Sequence, residues 1–95
     1  MWDVSDLAIM VEYQQSSKEL ADAAALCNDD PIKQDMVAYI SDEFQAAQAR
    51  SEGIKLLVKK GYSENKGFIL EEMKKVIECN YRMASQVRET LERLL

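Results

Sequence analysis

Five glutamates, Glu12, Glu19, Glu43, Glu52 and Glu78, fall in segments with helical spacing. Carboxylates projecting from facing helices are the starting material of a di-metal site, but such a site also needs a Glu-x-x-His pair on each of two helices. This 95-residue chain has no histidine. The commonest general base and the usual nitrogen ligand for zinc and iron are therefore missing. The glutamates read as solvated helix faces, and no metal is expected. Glu71, Glu72, Lys74 and Lys75 read the same way, with Glu71 and Lys75 spaced as an i,i+4 pair. Two cysteines, Cys27 and Cys79, are too few for a disulfide framework. Each lies inside a helical apolar pattern, where a thiol behaves as a small hydrophobe. Cys79 follows Glu78 near the middle of a helix and has no evident activator. The three glycines are scattered, so no phosphate-cradling loop forms. With no base beside any Ser or Cys, no catalytic residue, no cofactor and no enzymatic activity are expected.

The bulk numbers narrow the class further. The apolar fraction is 47% and the charged fraction 31%, a globular balance rather than a disordered one. One proline and three glycines leave little loop material, which points to a few long helices in a single domain, 1–95. The net charge of −5 argues against non-specific nucleic-acid binding. It is uneven: residues 1–48 carry ten acids against Lys18 and Lys33, a net of −8, whereas residues 49–95 carry a net of +3. Either helix-end preferences produce this split, or the acidic half faces the basic half within one chain or across a dimer. The longest apolar run, Ala23 to Cys27, is far short of the roughly 20 residues a membrane helix needs, so no membrane insertion is expected. No basic-then-apolar leader is seen, so a soluble protein of a reducing, cytoplasmic compartment is expected.

Three helices are predicted, at about 4–27, 31–60 and 66–94. The first is capped by Asp3 or Ser5. It carries Ile9/Met10, Tyr13, Ser16/Ser17, Leu20, Ala23/Ala24 and Cys27 on one face. Its Ser and Ala residues are small enough for a neighbouring helix to come close. Asn28-Asp29-Asp30 ends it, because these side chains compete for the local backbone. The second takes Asp30 as N-cap and Pro31 at its first position. Its stripe is Ile32, Met36, Ile40, Phe44, Ala47, Ser51, Ile54 and Val58, with Leu57 alongside. It closes on Lys59-Lys60, with Gly61 in the left-handed position and Tyr62 folding back. Gly53, inside it, is either a surface residue or a point of close helix contact. The third helix starts between Ser63 and Phe68. Its stripe is Ile69, Met73, Val76, Asn80, Met83, Val87, Thr90 and Leu94, flanked every seven residues by Leu70, Ile77, Ala84 and Leu91. Three apolar positions per heptad suit a bundle rather than a two-stranded seam. The expected fold is all-α, an elongated antiparallel bundle of three long helices. It is of the ferritin-like, four-helix-bundle type, with dimerisation as the means of completing it.

Asn80 is the one amide centred in the stripe of the third helix. A buried Asn can fix register or oligomeric state. The alternatives are an Asn at the bundle edge or one bonded to a backbone group. Asn80, Met73, Met83 and Val87 are the candidate interface residues for a homodimer or another protein partner. Trp2 and Tyr81 are candidate exposed aromatics, with Trp2 placed to cover one end of the bundle.

A run of small residues, Ala23-Ala24-Ala25, is followed by the break Asn28-Asp29-Asp30-Pro31-Ile32-Lys33. A long helix then ends at Val58-Lys59-Lys60-Gly61-Tyr62. From about Asp6 to Tyr62 this pattern resembles the spore coat F family, whose second helix stops at a Lys-Gly-aromatic-Tyr type motif. Here one aromatic is missing, and Gly61 and Tyr62 are adjacent. The resemblance implies half of a ferritin-like bundle and a structural, coat-associated role in a spore-forming bacterium. The family's ferritin-like relatives bind metal, yet their ligands are absent from this chain, so no site residue carries over. The third helix is longer than the weakly structured tail the resemblance implies, and could fill a groove that a partner hairpin fills in relatives. The alternative function is a regulatory or chaperone-type module offering a groove to a partner helix.

Overall fold

The computed structural model describes residues 2–36, 38, 41–60 and 65–94. Among them all regular structure is helical: α1 (Val4–Ala25), α2 (Pro31–Met36), α3 (Ser41–Lys59) and α4 (Lys66–Leu94). The expected roles of Ile40, Gly61, Tyr62 and Ser63 lie outside the described residues, as do the side chains of Met36, Phe44, Ala47 and Leu94.

The start of α1 is held by a capping box. Asp3 Oδ1 accepts from the Asp6 amide at 2.9 Å, and Asp6 Oδ2 accepts from the Asp3 amide at 3.0 Å. Two orphan amides of the first turn are thereby satisfied reciprocally. The helix ends at Ala25 rather than 27. The amides of Leu26, Cys27 and Asn28 each bond the carbonyl three residues back, tightening the last turn. Asp30 caps α2 through Oδ1, which accepts from the Ile32 amide at 2.9 Å.

Where one helix was expected over 31–60, α2 and α3 are separate, and Ala38 between them lies in a 3₁₀ turn. Val37, Tyr39 and Ile40 crowd this segment with β-branched and aromatic residues, whose helix propensity is lower than that of the unbranched residues around them. Ile32, expected in the buried stripe, is 67% exposed. Val58 is also exposed, whereas Ile54 is buried and Leu57 half-buried. Gly53 faces solvent, and a Cβ there would meet nothing within 4 Å, so no close contact inside the chain requires it.

The central element is α4. It packs against α1, α3 and α2, and α1 and α3 each contact it more extensively than they contact each other. Its stripe explains this: Ile69, Val76 and Met83 are fully buried, with Met73, Asn80, Val87 and Thr90 close behind. Each large apolar side chain buried this way contributes about 1.5–3 kcal/mol. Twenty-nine residues at about 1.5 Å each account for most of the 48 Å long axis.

Three cross-links show the direction of packing. Asp6 meets Lys66, Ser16 meets Asn80, and Glu19 meets Arg88. Residue numbers rise together on both helices, so α1 and α4 run parallel. The short connection from Lys59 to Lys66 makes α3 antiparallel to both. The chain's most extensive helix contact therefore joins its two most distant helices.

Candidate functional site

The apolar core is divided in two. One cluster joins Tyr13, Ile54, Ile69, Leu70, Met73 and Val76, with Trp2, Ile9, Met10, Leu57 and Ile77 packed against it. The other joins Leu20, Ala23, Cys27, Met83, Ala84 and Val87, with Cys79 and Leu91 alongside. A polar layer lies between them. Asn80 is 4% exposed. Its Nδ2 donates to Ser16 Oγ at 3.2 Å and to Ser17 Oγ at 3.4 Å. The two hydroxyls donate in turn to the Tyr13 carbonyl, at 2.8 and 3.0 Å. Each serine thus spends its proton on its own helix and offers a lone pair to α4, which lets a buried amide cross the interface satisfied.

Asn80 and Ser17 also line a groove of about 340 Å³ between α1 and α3. Leu20 and Ala21 complete the α1 side, and Gln48, Ser51, Glu52 and Lys55 form the α3 side. Lys55 lies 3.5 Å from Glu52, so these two opposite charges hold each other on the rim. The groove falls at the small end of ligand-pocket size.

The remaining charged groups tie helices together. Lys66 Nζ is 2.5 Å from Asp6 Oδ2 and 3.8 Å from Asp3 Oδ2. The hydrogen bond from Lys66, then that from the Asp3 amide, holds the Asp6 carboxyl below its ordinary value, while the bond to Asp6 raises Lys66. Arg88 pairs with Glu19, and Arg50 Nε reaches Glu72 Oε2 at 2.9 Å across the α3–α4 contact. The acidic first half meets the basic second half inside one chain through Asp3, Asp6 and Glu19, while Arg50–Glu72 joins two residues of the second half. Lys74 and Lys75 pair with Glu71 and Glu72 at i,i+3, not in the expected Glu71–Lys75 arrangement.

Asn80, Met73, Met83 and Val87 all lie between helices of the single chain. Met73 belongs to one apolar cluster, Met83 and Val87 to the other, and Asn80 to the layer between. Cys27 is buried and Cys79 half-buried, both as free thiols, and burial pushes the Cys27 thiol up. Among the described residues no group of three or more Cys, Asp or Glu side chains is placed to hold a metal ion, and no helix is long and apolar enough to cross a membrane. Trp2 is half-buried against the first cluster, and Tyr81 is exposed.

Sequence patterning placed Ser16 and Ser17 on the inner face as small residues, without their role as acceptors for Asn80. The signal was present: a polar interruption in each of two apolar stripes calls for the other. A second feature went unread. Val4, Leu7 and Val11, spaced by three and four, form one row on the side of α1 turned away from Tyr13, Ser16 and Leu20. They are 83%, 49% and 53% exposed. No family model, curated protein or solved structure matches the chain.

Proposed function

We propose that this chain is a non-enzymatic structural or assembly protein, a helical scaffold of the kind the coat F resemblance implies. In this reading it is made in the cytoplasm of a spore-forming bacterium, self-associates and is deposited on the spore coat. The ferritin-like half-bundle is part of the same proposal. The observation that carries it is the exposed apolar row Val4–Leu7–Val11, opposite a core-facing row that is already fully engaged by α4. An exposed contiguous apolar row on a small folded protein marks a surface that another protein covers. The charged groups support the same reading, because the cross-helix pairs use them to brace the helices rather than to converge on a substrate. Sedimentation velocity between about 10 and 500 μM, a range bracketing micromolar affinities, tests self-association directly. A homodimer or larger species is expected, and a single monomeric boundary throughout would end the proposal. Fractionation of spores should find the protein in the coat layer.

A regulatory or chaperone-type module is the second reading, favoured by the groove beside Asn80. A partner helix would insert one or two polar side chains between Ser17 and Ser51. Ser51→Trp, which fills the groove, would then abolish partner binding and leave self-association unchanged.

A further inference from the structure

We propose that a second copy of this chain docks the outer face of its α1 onto the outer face of α3, a contact between unlike faces that adds copies in a row. The inference rests on the assembly reading above and names its two surfaces. The first is the Val4–Leu7–Val11 row. The second is the solvent side of α3, where Gln45, Ala46, Ala49, Gly53 and Leu56 are exposed, Leu56 by 52%. These positions share one helix face by their spacing. The alanines and Gly53 leave it low, and the open space over Gly53 lets another helix approach closely without displacing anything.

Charge selects this pairing over an α1–α1 contact. Residues 3–12 carry Asp3, Asp6 and Glu12 and no base, whereas residues 50–60 carry Arg50, Lys55, Lys59 and Lys60 against Glu52. Some of this charge is used inside the chain, by the Asp3/Asp6–Lys66, Arg50–Glu72 and Lys55–Glu52 pairs. Glu12, Lys59 and Lys60 stay exposed on the flanks of the two rows. Two α1 faces would set acid against acid, while α1 on α3 sets acid against base. The geometry agrees: α1 runs parallel to α4 and α3 antiparallel, so the start of α1 and the end of α3 lie at the same end of every copy. A side-by-side neighbour therefore brings the two faces to the same level. Unlike faces give a ring if the rotation between copies closes, and otherwise an open row.

A mixing experiment tests this. Val11→Glu spoils the α1 face and leaves α3 intact, and Leu56→Glu does the reverse. Both side chains are exposed, so each variant should match the wild type in circular dichroism and melting temperature. By sedimentation velocity each variant alone should associate about tenfold or more weakly than wild type. A 1:1 mixture should form a heterodimer and nothing larger, because each partner supplies the face the other lacks. Glu12→Lys and Lys59→Glu form a second pair in which no apolar side chain changes. Each alone sets like charges together and should associate more weakly than wild type, whereas the mixture restores opposite charges at both contacts and should assemble as far as the wild type does. If either variant alone associates like wild type, or the mixture stays monomeric, the α1–α3 contact is wrong while the assembly reading survives. If the wild type itself is only monomeric, the assembly reading fails and this inference with it.

Discussion

Asn80 of α4 and Ser16 of α1, sixty-four positions apart, are joined by a 3.2 Å hydrogen bond in the buried centre of the molecule. The bond sits where the two apolar clusters part, and it fixes how α1 slides along α4. Sliding by a turn would strand the Asn80 amide without acceptors, at a cost of about 1–3 kcal/mol for an unsatisfied buried group. Asn80 therefore sets register within the chain, a role otherwise known for buried Asn between chains.

Asn80→Ala should lower unfolding free energy by about 2 kcal/mol, from the lost hydrogen bonds and the space left behind. Asn80→Leu should cost less, since it restores volume and both serines keep the Tyr13 carbonyl as acceptor. A double-mutant cycle with Ser16→Ala, read by urea unfolding, should give coupling of about 0.5–1.5 kcal/mol. Additive behaviour would show that the bond contributes nothing.

The Asp6–Lys66 pair predicts a pH dependence with a definite sign. Asp6 ionises below its ordinary value in the folded chain, so the unfolded state binds the proton first as acid is added. Its contribution is whole above roughly pH 4 and is lost as pH falls through the lowered folded value. Lys66 is raised, so its contribution holds below its ordinary value and is lost as pH rises through the folded one, at strongly alkaline pH. Melting temperature measured from pH 7 to 2 should fall less steeply in Asp6→Asn than in the wild type.

The two thiols should separate in a native-state labelling experiment. Cys27 is buried, with its ionisation pushed up by that burial, whereas Cys79 is partly exposed. At pH 8 one equivalent should react quickly with a disulfide reagent and one slowly, and Cys79→Ser should abolish the fast phase. In denaturant the difference should vanish.

The Tyr13 hydroxyl is buried with no hydrogen-bond partner among the described residues. Tyr13→Phe removes an unsatisfied group and keeps the ring in its cluster. Stability should rise by about 1 kcal/mol, seen as a higher denaturation midpoint at unchanged slope.

The sequence by itself determined the all-helical character of the chain and the inward faces of α1 and α4. The stripes of α1 and α4 are local periodicities, and Tyr13, Leu20, Cys27, Ile69, Val76, Met83 and Val87 are buried as their spacing requires. The caps at Asp3 and Asp30 are likewise local, because a carboxylate reaches amides two or three residues ahead whatever the rest of the chain does. The tertiary structure alone decided the partners. It paired α1 in parallel with α4, gave Asn80 its serines and turned Ile32 outward. It also left Val4, Leu7 and Val11 uncovered. Helical periodicity states that a side chain must be buried or satisfied, and says nothing of which distant side chain will do it. That choice depends on how three amphipathic surfaces best share one central helix. Here α4 has the widest stripe and takes both neighbours, which leaves the back of α1 bare.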